Sequence, residues 1–416
     1  MTKIIVAHEG KQHSFKTAEA LLKANMLEKY ITTVYDRPYS YTRILKIFLR
    51  GKARQKCASR KNNNIPNSKI KQYCELSGLL LLFLQKIPKL FKLFPKYYDN
   101  LHDDFGIKVA KYAIKHKVDA VIMYDTNANS CFRYLKQNAP YIKRILDVTI
   151  GNRIYLQSVY QYDSQLYPEI GDELIQEQQN NIAPQYLKRL KEELELSEYF
   201  LAGSTFVKKS LIFSDVPEKN IFVLNYGVDL AKFKIKPFQQ RKKPLRLLFV
   251  GNCSYRKGIH HLLKVVSMYN SNDIELNIAG GYNSKSYFYQ KYHNYSNIKF
   301  LGFITRDKLA SIYQQSDIFV LPSLAEGFAL VSLEALSIGL PLLCTTNSGC
   351  NDIIIDGENG FVIPPSNESL LKEKIDWFLS NLDKLPIMGL KAHKSVEHHS
   401  WDDYNSNLVK IIKKII

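Results

Sequence analysis

Two carboxylates and two cations in the second half of the chain carry the strongest chemical signal. Glu326 and Glu334 lie in the stretch Leu321-Pro-Ser-Leu-Ala-Glu-Gly-Phe-Ala-Leu-Val-Ser-Leu-Glu-Ala-Leu336. A strand-like apolar run precedes the first acid, and a helix-like run opening near it contains the second. At ~100° per residue, eight positions turn a helix by roughly 80° beyond whole turns, so both acids are expected on one side of a cleft. The N–H groups that open such a helix lack intrahelical acceptors and suit a phosphate. Upstream, Val250-Gly-Asn-Cys-Ser-Tyr-Arg-Lys-Gly258 joins a strand to a helix. Gly251 permits close backbone approach, and Arg256 and Lys257 bring charge suited to a departing diphosphate. Carboxylates for hydroxyls beside cations for phosphate fit a nucleotide-sugar. The plainer alternatives are acids placed at a helix start by its dipole and two cations solvating a turn. The apolar surroundings at 328–333 and the joint presence of Lys257 favour a site. The loop is not a P-loop, because the full glycine spacing and the hydroxyl residue after the lysine are missing.

The elements that must position these residues alternate. Strand-like and helix-like runs follow one another almost throughout, which argues for parallel sheets with crossover helices. In the first half strands are expected at 4–7, 118–124, 144–150, 199–202 and 221–224, with a helix over 17–30. In the second half they are expected at 245–250, 274–279, 298–301, 318–321 and 341–344, with a helix from about Ile259. The Lys-, Gln- and Pro-rich stretch 229–243 reads as a linker between a first domain, 1–228, and a second, 244–399. Ligands of open α/β sheets bind outside the carboxyl ends of strands, so the loops that follow strands are where chemistry is expected.

The bulk numbers agree. A chain of 416 residues with 45% apolar content is globular and too long for one ordinary core. No apolar run approaches the ~18–20 residues of a membrane span. The apolar start of the chain is too short for a signal peptide and reads as a buried strand. Six scattered cysteines without a metal-type pair favour reduced thiols in a cytosol. The net charge of +19 is concentrated: residues 37–98 hold fifteen lysines and arginines and one acid, Glu75. Such a patch implies an anionic partner. Within it, 51–71 is expected to be a mobile polar loop. Residues 76–96 alternate Leu and Phe with Lys, as in segments lying on anionic membrane surfaces. The plainer alternative is a helix with its lysines in water, and Pro88 and Pro95 would interrupt a single long helix. No base-reading motif accompanies the charge, so nucleic acid is not expected.

At this point the chain resembles the retaining glycosyltransferases of the GT-B fold, in glycosyltransferase family 4 (glycosyl transferases group 1). The matching stretches are Asn225-Tyr-Gly-Val-Asp229 with Phe233, Val250-Gly251 through Arg256-Lys-Gly258, Phe300-Leu-Gly302, Asp317-Ile-Phe-Val-Leu-Pro-Ser323, the glutamate pair, Gly339-Leu-Pro341, and Asp356-Gly-Glu-Asn-Gly-Phe361 with Pro364. They cover the second half nearly continuously, and the first half matches more loosely. The resemblance implies two Rossmann-like domains facing a central cleft, with a C-terminal helix, within 400–416, crossing back to the first. It implies a diphosphate-binding role for Lys257, donor-sugar contacts for Glu326 and ribose contacts for Glu334. N–H groups around Gly327, Phe328, Ala329, Leu330 and Val331 would hold phosphate, and the backbone after Gly302 would meet the base. No metal is expected, and no Asp-x-Asp signature follows a strand. Two departures stand out. Many relatives have an arginine where this chain has Asn252, and Arg256 is the candidate substitute. Many also carry a first-domain histidine near the acceptor, which is missing after 144–150. His13, in the first loop, is the alternative, unless it is a loop histidine without ligand. Asp125 would orient the acceptor hydroxyl or, equally, cap the next helix.

The resulting expectation is a retaining hexosyltransferase. It would move a sugar from a nucleoside-diphosphate donor, UDP-linked, to a glycan or lipid-linked glycan acceptor in surface-polysaccharide assembly. It would be cytoplasmic, or peripheral on the inner face of the membrane. A nucleotide-sugar-binding scaffold without turnover and a sugar-nucleotide epimerase on the same fold are the alternatives.

Overall fold

A computed structural model describes residues 2–10, 12–84, 87, 94–182, 184–237 and 242–416. The first half builds a seven-stranded parallel sheet from β1 (Ile4–Ala7), β2 (Leu27–Thr32), β3 (Ile70–Gln72), β4 (Ala120–Tyr124), β5 (Lys143–Val148), β6 (Tyr199–Ala202) and β7 (Ile221–Val223). Their spatial order is β3-β2-β1-β4-β5-β6-β7. The second half builds a six-stranded parallel sheet from β8 (Leu245–Val250), β9 (Ile274–Ala279), β10 (Ile298–Gly302), β11 (Ile318–Leu321), β12 (Leu342–Thr345) and β13 (Gly360–Ile363), in the order β10-β9-β8-β11-β12-β13. Central strands such as β1, β4 and β11 are buried at every position, as apolar strands covered on both faces must be.

Each sheet has one place where the strand order reverses: between β1 and β4, and between β8 and β11. Crevices open there because successive crossovers leave in opposite directions. The loops after β1, β4, β8 and β11 carry His13, Asp125, Lys257 and Glu326 respectively, so topology alone gathers the candidates near two crevices.

The helices are α1 (Ser14–Lys23), α2 (Tyr41–Phe48), α3 (Gly51–Ala58), α4 (Glu75–Leu84), α5 (Phe94–Lys115), α6 (Asn129–Asn138), α7 (Arg153–Leu166), α8 (Gly171–Ile182), α9 (Pro184–Leu196) and α10 (Thr205–Ile212) in the first half. In the second they are α11 (Ile259–Val266), α12 (Tyr287–Tyr292), α13 (Arg306–Gln315), α14 (Leu330–Ile338), α15 (Glu368–Ser380), α16 (Leu385–Lys394) and α17 (Trp401–Ile415). A capping box between Ser400 and Asp403 starts α17. The helix buries Tyr404, Leu408, Ile411, Ile412 and Ile415 and returns to the first half. There Thr17 bonds Tyr404 Oη at 2.8 Å and accepts from Tyr124 Oη at 2.9 Å. Ile416, just past the helix end, is exposed.

Three expectations need correction. The helix expected over 17–30 ends at Lys23, because Asn25 takes a left-handed φ of 57° and the chain turns into β2. Leu27 and Tyr30 fit a helical spacing and a strand spacing alike. The stretch 51–71 is ordered into α3, a single 3₁₀ turn and β3 rather than a mobile loop, since Ile65 and Ile70 are buried against the sheet. The strand β13 was not expected at all. Of the segment 76–96, α4 is described, whereas Lys86, Lys89 and Lys92 fall outside the described residues.

Tyr404→Phe removes a buried hydroxyl from the Thr17–Tyr124 network. We expect a loss of about 1 kcal/mol in unfolding free energy by urea denaturation; an unchanged midpoint would show that the network is not what fastens α17.

Candidate active site between the two sheets

Lys257, Arg256 and Glu326 meet. After β8 the chain makes a 3₁₀ turn over Tyr255–Lys257 and closes it with Gly258 at φ 65°. A Cβ at Gly258 would lie 1.9 Å from the carbonyl oxygen of Pro322, so only glycine lets this loop reach the loop after β11. That contact sets Lys257 Nζ 2.5 Å and Arg256 Nη1 3.0 Å from Glu326 Oε1. Arg256 also donates to the Ala325 carbonyl at 2.8 Å. Burial would raise the Glu326 carboxyl, but Lys257 and then Arg256 outweigh it, and the group lies below its ordinary value. Arg256 is pushed up in turn: burial opposes its charge, and Glu326 more than compensates.

The helix expected to open near Glu326 starts later, so the helical rotation used to bring both acids to one side of a cleft does not apply to it. Glu326 lies in the loop before α14, which begins at Leu330. Ala329, just before the helix, is extended, and the Gly327 carbonyl accepts from Ser204 Oγ at 2.6 Å. Glu334, half-buried inside α14, takes a hydrogen bond from Tyr313 Oη at 3.2 Å. Phe328 therefore precedes the helix, and Leu330 and Val331 form its first turn. Ala329 has no side chain with which to cap it, so the opening amides stay available to an anion. Gly302 is left-handed, with open space around its α-carbon and the exposed Phe303 next in the chain.

The first half reaches this loop directly. A Cβ on Gly327 would lie 1.7 Å from the carbonyl oxygen of Thr149, so the two halves touch backbone to backbone. Thr149 in turn donates its N–H and hydroxyl to Asp125 Oδ1, at 3.0 and 2.7 Å. Asp125 is thus tied to the loop after β5 and does not cap α6; Glu193 of α9 accepts from the Thr126 and Ala128 amides just ahead of that helix, at 2.8 and 2.6 Å. Burial raises Asp125 despite those bonds and pushes Glu193 up to about 8. The His13 side chain is 8% exposed, with Nε2 2.9 Å from Asp147 Oδ2 and its ring against Tyr226, which packs on Phe328.

Sequence reasoning missed a cavity of about 210 Å³ at the carboxyl ends of β1, β2 and β4. His8, Glu9, Arg60, His102 and Asn127 supply its polar lining, and Leu81 and Leu82 of α4 part of its apolar wall. Glu9 and His102 form a buried ion-pair contact. His8 Nε2, Glu9 Oε1 and His102 Nε2 have no hydrogen-bond partner among the described residues. Burial raises Glu9 and lowers His8 to about 4. His8 and Glu9 follow β1 directly, so their position was readable; His102, on α5, carried no local signal.

First-half acids also grip the second half. Glu177 of α8 accepts from the amides of Tyr255 and Arg256 at 2.9 and 3.1 Å, and Glu173 from Tyr255 Oη at 2.5 Å. Asp163 of α7 bonds His260 at 2.9 Å, His261 at 2.8 Å and Ser366 at 2.7 Å. Asp163, His260 and His261 are also the one group of described residues whose ligand atoms lie close enough for a metal ion. The carboxylate is already satisfied by three donors there. Burial lowers His260 to about 4, while Asp163 lies well below its usual range because both imidazoles outweigh its burial.

With this geometry in view the comparisons are decisive for the second half. Residues 231–394 match the family described as Glycosyl transferases group 1. The match falls in the second half and does not extend to the first. The chain is 29% identical over 240 residues to the uncharacterized glycosyltransferase MJ1607 of Methanocaldococcus jannaschii, covering 52% of this chain and 61% of that one. It is 25% identical over 237 residues to the capsular polysaccharide biosynthesis glycosyltransferase CapM of Staphylococcus aureus, covering 51% and 62%. It thus spans about half to three fifths of the length of the curated relatives it matches. The structure of Anabaena Alr3699/HepE in complex with UDP and glucose superposes with a TM-score of 0.62 at 14% identity, over the whole of both chains. That likeness establishes the fold, the GT-B arrangement of two facing Rossmann-like domains. Within the group 1 domain, Lys257, Arg256, Glu326, Glu334 and the start of α14 all lie inside the matched residues, whereas the cavity and His13 do not.

Gly327→Ala should force the halves apart. We expect a loss of about 1–3 kcal/mol in stability and a larger radius of gyration in solution scattering; an unchanged radius and midpoint would refute the close approach. His260 holds stability of a definite pH dependence. The unfolded chain takes up its proton near 6.5 and the folded chain only near 4, so neutral His260 contributes stability that is lost as pH falls between those values. His260→Gln should therefore be less stable than the parent at pH 7 by about 1 kcal/mol, with the gap closing toward pH 4 in urea titrations. A gap constant with pH would contradict this assignment.

Proposed function

We propose that the chain is a retaining glycosyltransferase that moves a sugar from a UDP-linked donor to a hydroxyl of a glycan or lipid-linked glycan, in surface-polysaccharide synthesis. The observation that carries this reading is the buried Glu326 carboxylate shared by Lys257 and Arg256 beside the uncapped start of α14. The UDP and glucose named for the Anabaena structure and the capsular role named for CapM support the donor and the setting.

The chemistry follows from charge. As the bond from the anomeric carbon to the diphosphate oxygen breaks, negative charge grows on the diphosphate and positive charge on the sugar. Lys257, Arg256 and the amides opening α14 stabilise the first. A diphosphate competes with Glu326 for the same two cations, which releases carboxylate lone pairs to accept donor-sugar hydroxyls. Glu334, oriented by Tyr313, receives the ribose hydroxyls, and the base lies beyond Gly302. The acceptor hydroxyl enters from the first half, past the cavity of Glu9 and His102, with Asp125 and His13 as the groups nearest the interdomain contact. Its oxygen bonds the anomeric carbon on the face the diphosphate leaves, and its proton passes to the departing phosphate oxygen. Donor and acceptor are held by side chains and amides, without a metal.

Incubation with a panel of UDP-sugars should release UDP, slowly by hydrolysis and faster with acceptor. Lys257→Ala and Glu326→Gln should each lower release at least ~100-fold. Parent-like turnover by both would remove the site assignment. A changed sugar still joined to nucleotide would indicate epimerisation, and tight binding without either product a scaffold.

A further inference from the structure

Helix α2 is anomalous for a surface helix. Of its eight residues only Thr42 is buried, yet five are large and apolar. Tyr41, Ile44, Ile47 and Phe48 are 54%, 51%, 72% and 78% exposed, and Tyr39 just before the helix is fully exposed. Isolated exposed apolar side chains are ordinary, but a contiguous group marks a contact surface. The group extends onto a second helix: Glu75 accepts from the Thr42 amide and hydroxyl at 2.8 and 2.5 Å, fastening α2 to the start of α4. On α4, Leu76 and Phe83 are 59% and 57% exposed.

The charge around this face has one sign. Residues 37–84 contain eleven lysines and arginines and a single acid, Glu75, which is spent on Thr42. Arg43 and Lys46, on the opposite edge of α2, pair with Asp36 and hold the helix to the sheet. Arg50, Arg54 and Lys56 follow on and beside α3 and are exposed. An apolar face flanked by unopposed cations matches the interface of an anionic bilayer, where side chains such as Ile and Phe enter the acyl boundary and cations meet headgroup phosphates. A protein partner of the same size would need acids placed opposite each cation, whereas a lipid surface supplies them everywhere.

We propose that α2, with the outer face of α4, seats the protein on an anionic membrane surface. The contact is centred on 39–48 and 76–83, and it shares only α4 with the segment 76–96 to which the sequence pattern pointed. Its consequence is positional. The inner face of α4, through Gly78, Leu81 and Leu82, lines the cavity beside Glu9 and His102. The cavity therefore lies one helix thickness from the proposed lipid surface. This inference stands apart from the transfer reading, because binding needs no turnover.

The test is cosedimentation of the full chain with vesicles of phosphatidylcholine alone or mixed with phosphatidylglycerol. Binding should be at least ~10-fold tighter to the anionic vesicles and fall as salt is raised. Ile47→Glu with Phe48→Glu should weaken it at least ~10-fold while the urea midpoint stays at the parent value, since both side chains are exposed. Equal binding to neutral vesicles, or parent-like binding by the double variant, overturns the proposal. So does a stable dimer that ignores vesicles and is broken by the same variant, which would assign the face to a second copy of the chain.

Discussion

The structure depends on one buried charge. Glu326 sits away from water, and an isolated carboxylate there would cost several kcal/mol or give up its charge. Two cations from the neighbouring loop prevent that, and they reach it because Gly258 lets the loops after β8 and β11 pass where a Cβ would clash with the Pro322 carbonyl. Such an ion pair adds little net stability over an apolar alternative, so its persistence in a core speaks for chemistry. The surrounding core supports it: Leu324 and Ala325, directly before the acid, pack with the apolar cluster of the first half.

The same loop is where the halves meet. Gly327 lies against Thr149, Ser204 donates to the Gly327 carbonyl, and Asp352 of the second half binds the Thr205 amide at 2.8 Å and Asn225 at 3.0 Å. Farther out, α7 and α8 belong to the first half by sequence but place Asp163, Glu173 and Glu177 on the second. Acids in one half facing amides, imidazoles and hydroxyls in the other give the interface direction as well as area, because each bond fixes a register that apolar packing alone would leave loose.

Much of this was readable from sequence, and the failures have physical causes. Nearly continuous apolar runs located ten of the thirteen strands, since strands covered on both faces write an unambiguous pattern. The three others, β2, β3 and β13, are edge or near-edge strands, and β2 also satisfied a helical spacing. Lys257, Arg256 and Glu326 were legible because loops after strands at a reversal of strand order converge whatever the details. The place of Glu326 in a loop ahead of the helix was not, because local pattern does not encode the tertiary contact at Gly327 that precedes the helix start. His102 and Asp163 were invisible for a related reason. Each sits mid-helix, where spacing predicts only which side faces inward, and the partner that gives it meaning lies tens of residues away.

The grip of α8 on the loop after β8 joins these threads. Glu177 takes the amides of Tyr255 and Arg256, while the side chains of Arg256 and the adjoining Lys257 turn to Glu326. One short turn is therefore held from the first half through its backbone and committed to the acid of the second half through its side chains. Within the second half the turn is tied as well, since the Arg256 carbonyl accepts from the Leu324 amide at 2.9 Å. Electrostatic stabilisation is strongest where donors are fixed before charge develops. In the proposed transfer, the diphosphate-binding turn is in this way held from both halves before charge develops, by Glu177 on its backbone and by Glu326 on its side chains.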